Sequence, residues 1–329
     1  MHCMKKLLIT GGAGFIGSNF IRLILNKYPD YRITNLDKLT YCGNLENLKD
    51  VEKNRNYSFV KGDIADEALV SGLVKGCDII VNFAAESHVD RSIKDPGEFV
   101  RTNIFGTHTL LEAAKSSGVK LFIQISTDEV YGSVVKGASK ETDPLEPNSP
   151  YSATKAGADL LARSYFVTFK LPVIITRSSN NFGPYQYPEK VIPLFITNLL
   201  ADKKVPLYAD GMNMRDWLYV EDNCEAIDAV MHKGNPGEIY NIGVGSEITN
   251  LELTRGLLDI LGKDEGSIEY VKDRPGHDKR YALDIAKIKA LGWRPRHDFR
   301  DALKLTVDWY KKNEAWWDRL VKCRKDIKY

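Results

Sequence analysis

The sequence predicts an α/β protein on a doubly wound parallel sheet, with a smaller α/β substrate lobe towards its C-terminal end. Three observations predict it. Short β-branched runs alternate with helical patterns through the N-terminal half. The strand runs are apolar on both faces, as expected when helices cover both sides of a parallel sheet. Glycines also cluster where the first strand gives way to the first helix. Strand–helix–strand order with right-handed crossovers then leads to a doubly wound sheet.

Taken in order, the strand candidates are "KKLLIT", "YRITNLD", "YSFVKGD", "CDIIVNFAA", "KLFIQIST" and "LPVIITRSS". Helix candidates lie between them: "FIGSNFIRLILNKY", "EALVSGLVKG", "EFVRTNIFGTHTLLEAAKSSG" and "YSATKAGADLLARSYFVTF". After about Asn180 the alternation becomes irregular and Pro and Gly are more frequent. The expected organisation is a dinucleotide-binding domain over 1–178, with returns from about 216–245 such as "EIYNIG", and a mainly substrate-binding lobe over 179–329.

The 329 residues carry 46 basic and 44 acidic side chains, a net of +2, which gives no electrostatic case for DNA or RNA as a partner. Five cysteines are scattered without a CxxC pair or neighbouring histidines, so reduced thiols and no metal site are expected. No apolar stretch approaches the roughly 20 residues needed to span a bilayer. The opening "MHCMKKLLIT" lacks the long apolar region of a signal peptide. A cytoplasmic protein with no membrane partner is the expectation.

"ITGGAGFIGSNF" places Gly11, Gly14 and Gly17 at the strand-to-helix turn, flanking Phe15 and Ile16. Glycine permits the tight turn and lets backbone N–H groups approach a pyrophosphate at the helix N-terminus. The spacing is GxxGxxG, which shifts the match towards short-chain dehydrogenase-like, Rossmann-type folds. Asp37 closes the second strand about twenty positions after Gly17. A carboxylate there accepts from both ribose hydroxyls of NAD and repels the extra phosphate of NADP. Lys38 and Thr40 follow it, and "GDI" offers Asp63 and Ile64 to the adenine end. The competing readings are a turn acid for Asp37 and a helix cap for Asp63.

Two further patterns carry chemistry. "SPYSATKAGAD" sets Tyr151 and Lys155 four apart on a helix, hence on one face. A cation there stabilises phenolate and makes tyrosine a usable base, although an ordinary surface Tyr and Lys share that spacing. "STDEVYG" ends an apolar strand in Thr127, Asp128 and Glu129. The bland reading is a helix cap by Ser126 or Asp128, with Glu129 in the first turn. The alternative is a catalytic pair.

Together "TGGAGFIG", "AAESHVDRS", "STDEVYG", "YSATK", "RSSNNFGPYQYPEK", "RDWLYVEDN" and "RPGHDKRY" resemble the extended short-chain dehydrogenase/reductase superfamily over nearly the whole chain. Within it they are similar to the dTDP-glucose 4,6-dehydratases, for which the Thr-Asp-Glu triplet is diagnostic. That resemblance implies bound NAD, with Tyr151 taking the sugar's C4 hydroxyl proton, Thr127 bonding the same oxygen and Lys155 holding the nicotinamide ribose. Glu129 would remove the C5 proton while protonated Asp128 donates to the departing C6 hydroxyl. Adjacent carboxyls in a poorly solvated cleft split their pKa values in that way.

The resemblance also places Phe83, Ala84, Ala85, Thr102 and Asn181 beside the cofactor. It sets Ser87 and Asn180 against the sugar, and Arg215, Asn250, Arg274 and His277 against the nucleotide, where an arginine fork suits a diphosphate. Lys190, Pro206 and Tyr208 are expected to line the thymidine pocket. His88, Asp90 and Arg91 read as a structural network, and a salt bridge to Asp216 or Asp222 competes for Arg215. The third and fourth helix candidates, "EFVRTNIFGTHTLLEAAKSSG" and "YSATKAGADLLARSYFVTF", carry more apolar residues than one buried face needs, so a homodimer is expected. Two rivals remain: another NAD-dependent sugar-nucleotide dehydratase or epimerase using a UDP sugar, and a non-catalytic NAD-sensing regulator.

Overall fold

The computed structural model describes residues 5–273 and 277–323. The strand runs of the N-terminal half form β1 (Lys6–Thr10), β2 (Arg32–Asp37), β3 (Tyr57–Lys61), β4 (Ile79–Asn82), β5 (Leu121–Thr127) and β6 (Val173–Ser178). Beyond them lie β7 (Asn180–Phe182), β8 (Val205–Tyr208), β9 (Met214–Tyr219), β10 (Ile239–Ile242), β11 (Glu247–Thr249) and β12 (Ile268–Val271). The main sheet has seven strands in the order β10-β6-β5-β4-β1-β2-β3, and all its pairings are parallel. "EIYNIG" therefore does return to the sheet, as the edge strand beside β6.

The helices are α1 (Phe15–Lys27), α2 (Glu67–Val74), α3 (Val89–Lys94), α4 (Pro96–Phe99), α5 (Thr107–Ser117), α6 (Pro150–Phe169), α7 (Val191–Leu200), α8 (Val220–Lys233), α9 (Asn250–Leu261), α10 (Ala286–Ala290), α11 (Phe299–Lys312) and α12 (Glu314–Cys323). Successive strand residues point to opposite faces, and the core divides accordingly. Leu7 and Ile9 pack with Phe20, Ile24, Ile227 and Val230 from α1 and α8. Leu8 packs the other way, with Val70, Leu110 and Ala162 from α2, α5 and α6. The predicted strand "YSFVKGD" differs from its neighbours in having no buried side chain, because β3 is an edge strand paired only with β2.

One predicted helix is modified. "EFVRTNIFGTHTLLEAAKSSG" is not a uniform α-helix, because Val100–Gly106 winds as π-helix between α4 and α5. Such wide turns concentrate at functional positions. Here the segment carries Asn103, whose Oδ1 accepts from the Glu86 amide at 2.9 Å and whose Nδ2 donates to the Glu86 carbonyl at 3.1 Å and Thr154 Oγ1 at 2.9 Å. The chain leaving β4 is thereby pinned to α6.

A second core gathers Phe182, Phe195, Trp217, Leu253, Leu257 and Tyr310 from α7, α9, α11 and the shorter strands. It is tied back to the glycine turn. Trp316 Nε1 donates to Asn47 Oδ1 at 2.9 Å, and Asn47 Nδ2 donates to the Ala13 carbonyl at 2.9 Å. No helix among the described residues is long and apolar enough to cross a membrane.

Gly11 (φ +66°) and Gly118 (φ +65°) both hold left-handed backbone, but a Cβ on Gly11 would lie 2.6 Å from the Ala84 amide, whereas one on Gly118 would meet nothing within 4 Å. Gly118→Ala should therefore lose only the left-handed penalty, about 1–2 kcal/mol, and Gly11→Ala distinctly more. Urea denaturation of both variants checks this, and equal losses would contradict the crowding at Gly11.

Candidate active site

β5 runs between β4 and β6 and is buried from Phe122 to Thr127, so whatever its carboxyl end presents is held rigidly. A single 3₁₀ turn, Asp128–Tyr131, follows. Its cap is neither Ser126 nor Asp128, contrary to the bland reading. Thr127 Oγ1 accepts from the Glu129 amide at 3.2 Å, and the same hydroxyl donates to Asp128 Oδ1 at 3.1 Å. With capping assigned to Thr127, neither acid is needed for it.

Asp128 is 3% exposed, and its Oδ2 has no hydrogen-bond partner. Burial, then the charge of Glu129, pushes its carboxyl well above the usual range, against the opposing influence of Arg215 and the Thr127 hydroxyl. That direction favours the protonated form of Asp128.

α6 starts at a capping box in which Ser149 and Ser152 exchange side-chain and backbone bonds, with Pro150 in the first turn. That start places Tyr151 beside Thr127 and Lys155 one turn deeper. Lys155 Nζ donates to the Ile125 carbonyl of β5 at 2.5 Å. Burial lowers its pKa to about 8, with Asp159 opposing, so the amine carries its proton at neutral pH and loses it as pH rises through about 8. The expected acidification of Tyr151 by Lys155 is not what governs the phenol here. Burial, then Glu129 and Asp128, pushes Tyr151 well above its ordinary range, with the Thr127 hydroxyl opposing them.

The glycine loop, Asp37, Lys38, Thr40, Asp63, Ile64, Phe83–Ala85, Thr102, Tyr151 and Lys155 line one cavity of about 240 Å³. Its walls fit a dinucleotide. A Cβ on Gly17 would fall 2.5 Å from the Gly11 carbonyl, so the helix start can close onto the turn only as glycine. Asp37 accepts from the Ala13 amide at 2.9 Å and the Leu39 amide at 2.8 Å, one on each oxygen, which leaves further lone pairs for hydroxyls. Asp63 ties its Oδ1 to the Ala65 amide at 2.9 Å and its Oδ2 to Lys38 at 3.0 Å. Its carboxyl is lowered overall: burial raises it, but that amide and Lys38 outweigh the effect.

A second cavity, of about 330 Å³, joins the first at Tyr151 and Ser126. Thr127, Asp128, Glu129, Ser87, Asn180, Lys190, Pro206, Tyr208, Arg215, Asn250 and His277 line it. Asn181, grouped with the cofactor residues from the sequence, lines this larger cavity and not the smaller one. Lys190 lies where the two cavities meet, donating to the Ser87 carbonyl at 3.0 Å. Arg274 falls outside the described residues. The salt bridge proposed for Arg215 is displaced: its guanidinium donates to the Met214 and Asp278 carbonyls, both at 2.7 Å, while Asp216 accepts from the Val244 and Gly245 amides and Asp222 from His297. His88 is structural in part, its Nδ1 accepting from the Arg91 amide at 3.4 Å.

Buried polar atoms with no partner among the described residues concentrate here: Asp128 Oδ2, Ser179 Oγ, Asn181 Oδ1, Gln186 Oε1, Trp217 Nε1 and Asn250 Oδ1 all belong to lining residues. Native interiors rarely tolerate such atoms unless a ligand or water meets them. Sequence reasoning missed Gln186, Glu189 and Trp217. All three sit in strings that carried the resemblance, "GPYQYPEK" and "RDWLYVEDN", yet none is a titrating group with a recognisable spacing.

The family model for GDP-mannose 4,6 dehydratase matches residues 8–306. The chain is 55% identical over 304 residues to the low-salt glycan biosynthesis protein Agl12 of Haloferax volcanii, covering 92% of this chain and 98% of that one. It is 53% identical over 323 residues to a dTDP-glucose 4,6-dehydratase of Streptomyces antibioticus, covering 96% of each. Among solved structures, DesIV of Streptomyces venezuelae, a dTDP-glucose 4,6-dehydratase with NAD and dTDP bound, superposes with a TM-score of 0.94 at 53% identity, covering 96% of this chain and 99% of that one. On these matches the chain belongs to the GDP-mannose 4,6 dehydratase family, among its dTDP-glucose 4,6-dehydratases.

Proposed function

We propose that this protein dehydrates dTDP-glucose to dTDP-4-keto-6-deoxyglucose with NAD retained as a catalyst. The observation that carries the reading is the pairing of protonated Asp128 with Glu129 at the junction where Tyr151 faces both cavities. A simple dehydrogenase needs the dinucleotide cavity and has no use for two adjacent acids. An epimerase likewise has no water to remove. The DesIV complex with NAD and dTDP supports the same assignment of cofactor and nucleotide.

NAD in the smaller cavity would supply a hydride acceptor at C4 and, later, a hydride donor at C6. The chain's own residues handle the protons. Tyr151 removes the proton from the C4 hydroxyl while Thr127 bonds the same oxygen. The resulting ketone acidifies C5–H, and Glu129 takes that proton. Asp128 gives its proton to the C6 hydroxyl, which leaves as water. Glu129 then returns its proton to C5, and the proton collected at O4 restores Asp128. Atoms balance as loss of one water. Residues 1–178 with 216–245 serve as the NAD-binding unit and the remainder as the sugar-nucleotide lobe, with Arg215, Asn250, Arg274 and His277 at the nucleotide.

Supplying dTDP-glucose deuterated at C4 tests the reading. The expected product is a base-labile 4-ketosugar with the label at C6, and UDP-glucose should react more slowly. Label lost to solvent, or stoichiometric release of reduced cofactor, would sink it.

The roles separate by substitution. Tyr151→Phe should abolish C4 oxidation, whereas Glu129→Gln should retain reversible C4 oxidation and lose elimination by about 10²–10⁴-fold. Single-turnover absorbance at the nicotinamide band distinguishes them, and a Glu129→Gln enzyme with wild-type turnover would reject the assignment.

We also propose a cytoplasmic homodimer. Leu160, Val167 and Phe169 on α6 and Val100 and Phe105 on the neighbouring π-helical segment are exposed apolar side chains, and a second copy would cover them. Light scattering at micromolar concentration should give twice the chain mass, and a monomer there would count against pairing.

A further inference from the structure

Gln186 lines both cavities and is 8% exposed, yet it belongs to no acid–base or phosphate-binding pattern. Its surroundings fix it. Tyr185, just before it, holds left-handed backbone (φ +67°) with the Arg22 guanidinium 4.1 Å from its ring centre. The buried Tyr310 hydroxyl donates to the Gln186 backbone carbonyl. The side-chain amide is oriented as well, because Nε2 donates to the Asn181 carbonyl at 2.9 Å. Oε1 is then the end left over, buried and with no partner among the described residues.

Asn181 repeats the arrangement. Its Nδ2 donates to the Ser179 carbonyl at 2.9 Å and its Oδ1 is left open. Each amide thus commits an N–H to backbone and leaves a buried acceptor oxygen without a partner among the described residues. Asn181 lines only the larger of the two cavities, which assigns this acceptor wall to that side. A diphosphate brings acceptors alone and cannot satisfy such a wall. A hexose brings hydroxyl donors.

We infer that Gln186 is a specificity-determining residue, its side-chain carbonyl accepting a hydrogen bond from a secondary hydroxyl of the bound hexose where the two cavities meet. The inference rests on reading the larger cavity as the sugar-nucleotide site. Removing the hydroxyl from the ligand strands a buried acceptor, and discrimination of this kind exceeds what a hydrophobic pocket achieves.

The test compares wild type with Gln186→Met, which keeps the side chain's length and removes its polar atoms. The substrates are dTDP-glucose and its 2-deoxy and 3-deoxy analogues, with dTDP as a ligand lacking the hexose. Wild-type turnover of dTDP-glucose is measured first, so its absence would remove the functional reading and this inference together. Given turnover, Gln186→Met should lower kcat/KM for dTDP-glucose by about 10- to 100-fold, the range for one stranded buried hydrogen-bonding group. Its affinity for dTDP should be unchanged. One deoxy analogue should lose a similar factor on wild type and nothing further on the variant, the signature of a coupled pair. Additive losses, an unchanged kcat/KM, or a parallel fall in dTDP affinity would overturn the inference. So would loss of NAD retention with sugar discrimination intact, which would assign the acceptor to the cofactor's carboxamide.

Discussion

Two carboxyl groups side by side at the end of a buried strand repel each other and lose hydration, and the structure around Asp128 and Glu129 is organised by having to hold them. Removing an ion from water costs several kcal/mol, and a buried acid usually meets that cost by keeping its proton. Asp128 does so. The accommodation draws on both parts of the molecule: Thr127 supplies a hydroxyl from β5 itself, and Arg215 supplies positive charge from β9. Beneath them Asp159 and Arg177 form a 3.0 Å ion pair, buried on both sides, that fixes α6 against β6. Arg177 then donates to the Tyr131 hydroxyl at 2.7 Å, which locks the turn carrying the acids.

The same logic explains why the second core is bolted to the first. Arg215 can lower the cost of the acid pair only if its guanidinium is aimed, and backbone carbonyls at Met214 and Asp278 aim it. Tyr310 reaches from α11 to the loop after β7, and Trp316 reaches from α12 through Asn47 to the glycine turn. A shift of the distal helices would therefore move both the dinucleotide turn and the wall of the larger cavity. Lobe packing and site geometry are one constraint.

Much of this was legible in the sequence. Each predicted strand formed because apolar runs such as "LFIQI" have nowhere else to go, and the glycine loop was readable because φ and close backbone approach restrict Gly11 and Gly17 to glycine. Taken alone, Asp128 and Glu129 left a cap and a catalytic pair both open, and it was the resemblance that favoured the pair. What escaped was context. No periodicity marks a π-helical segment, so the wide turn around Asn103 was invisible. Gln186 and Trp217 are neutral, and their significance lies in which of their atoms stay open after folding. The sign at Tyr151 also depended on neighbours distant in sequence: spacing revealed Lys155, but only the fold set Glu129 and Asp128 before the ring.

That sign bears on how the proposed reaction is ordered. With its pKa pushed above the ordinary tyrosine range, Tyr151 rests as the phenol and becomes a base only on losing its own proton. A cation near the ring would favour the phenolate, and NAD held in the cavity that Tyr151 lines would supply one in its oxidised form. In the proposed reaction, proton removal at O4 would then be easiest with the cofactor site filled. In the proposed cycle Tyr151 then yields the proton taken from O4 to restore Asp128, after Glu129 and Asp128 have carried the elimination, so the acids that disfavour phenolate in the resting site would act only after it has served.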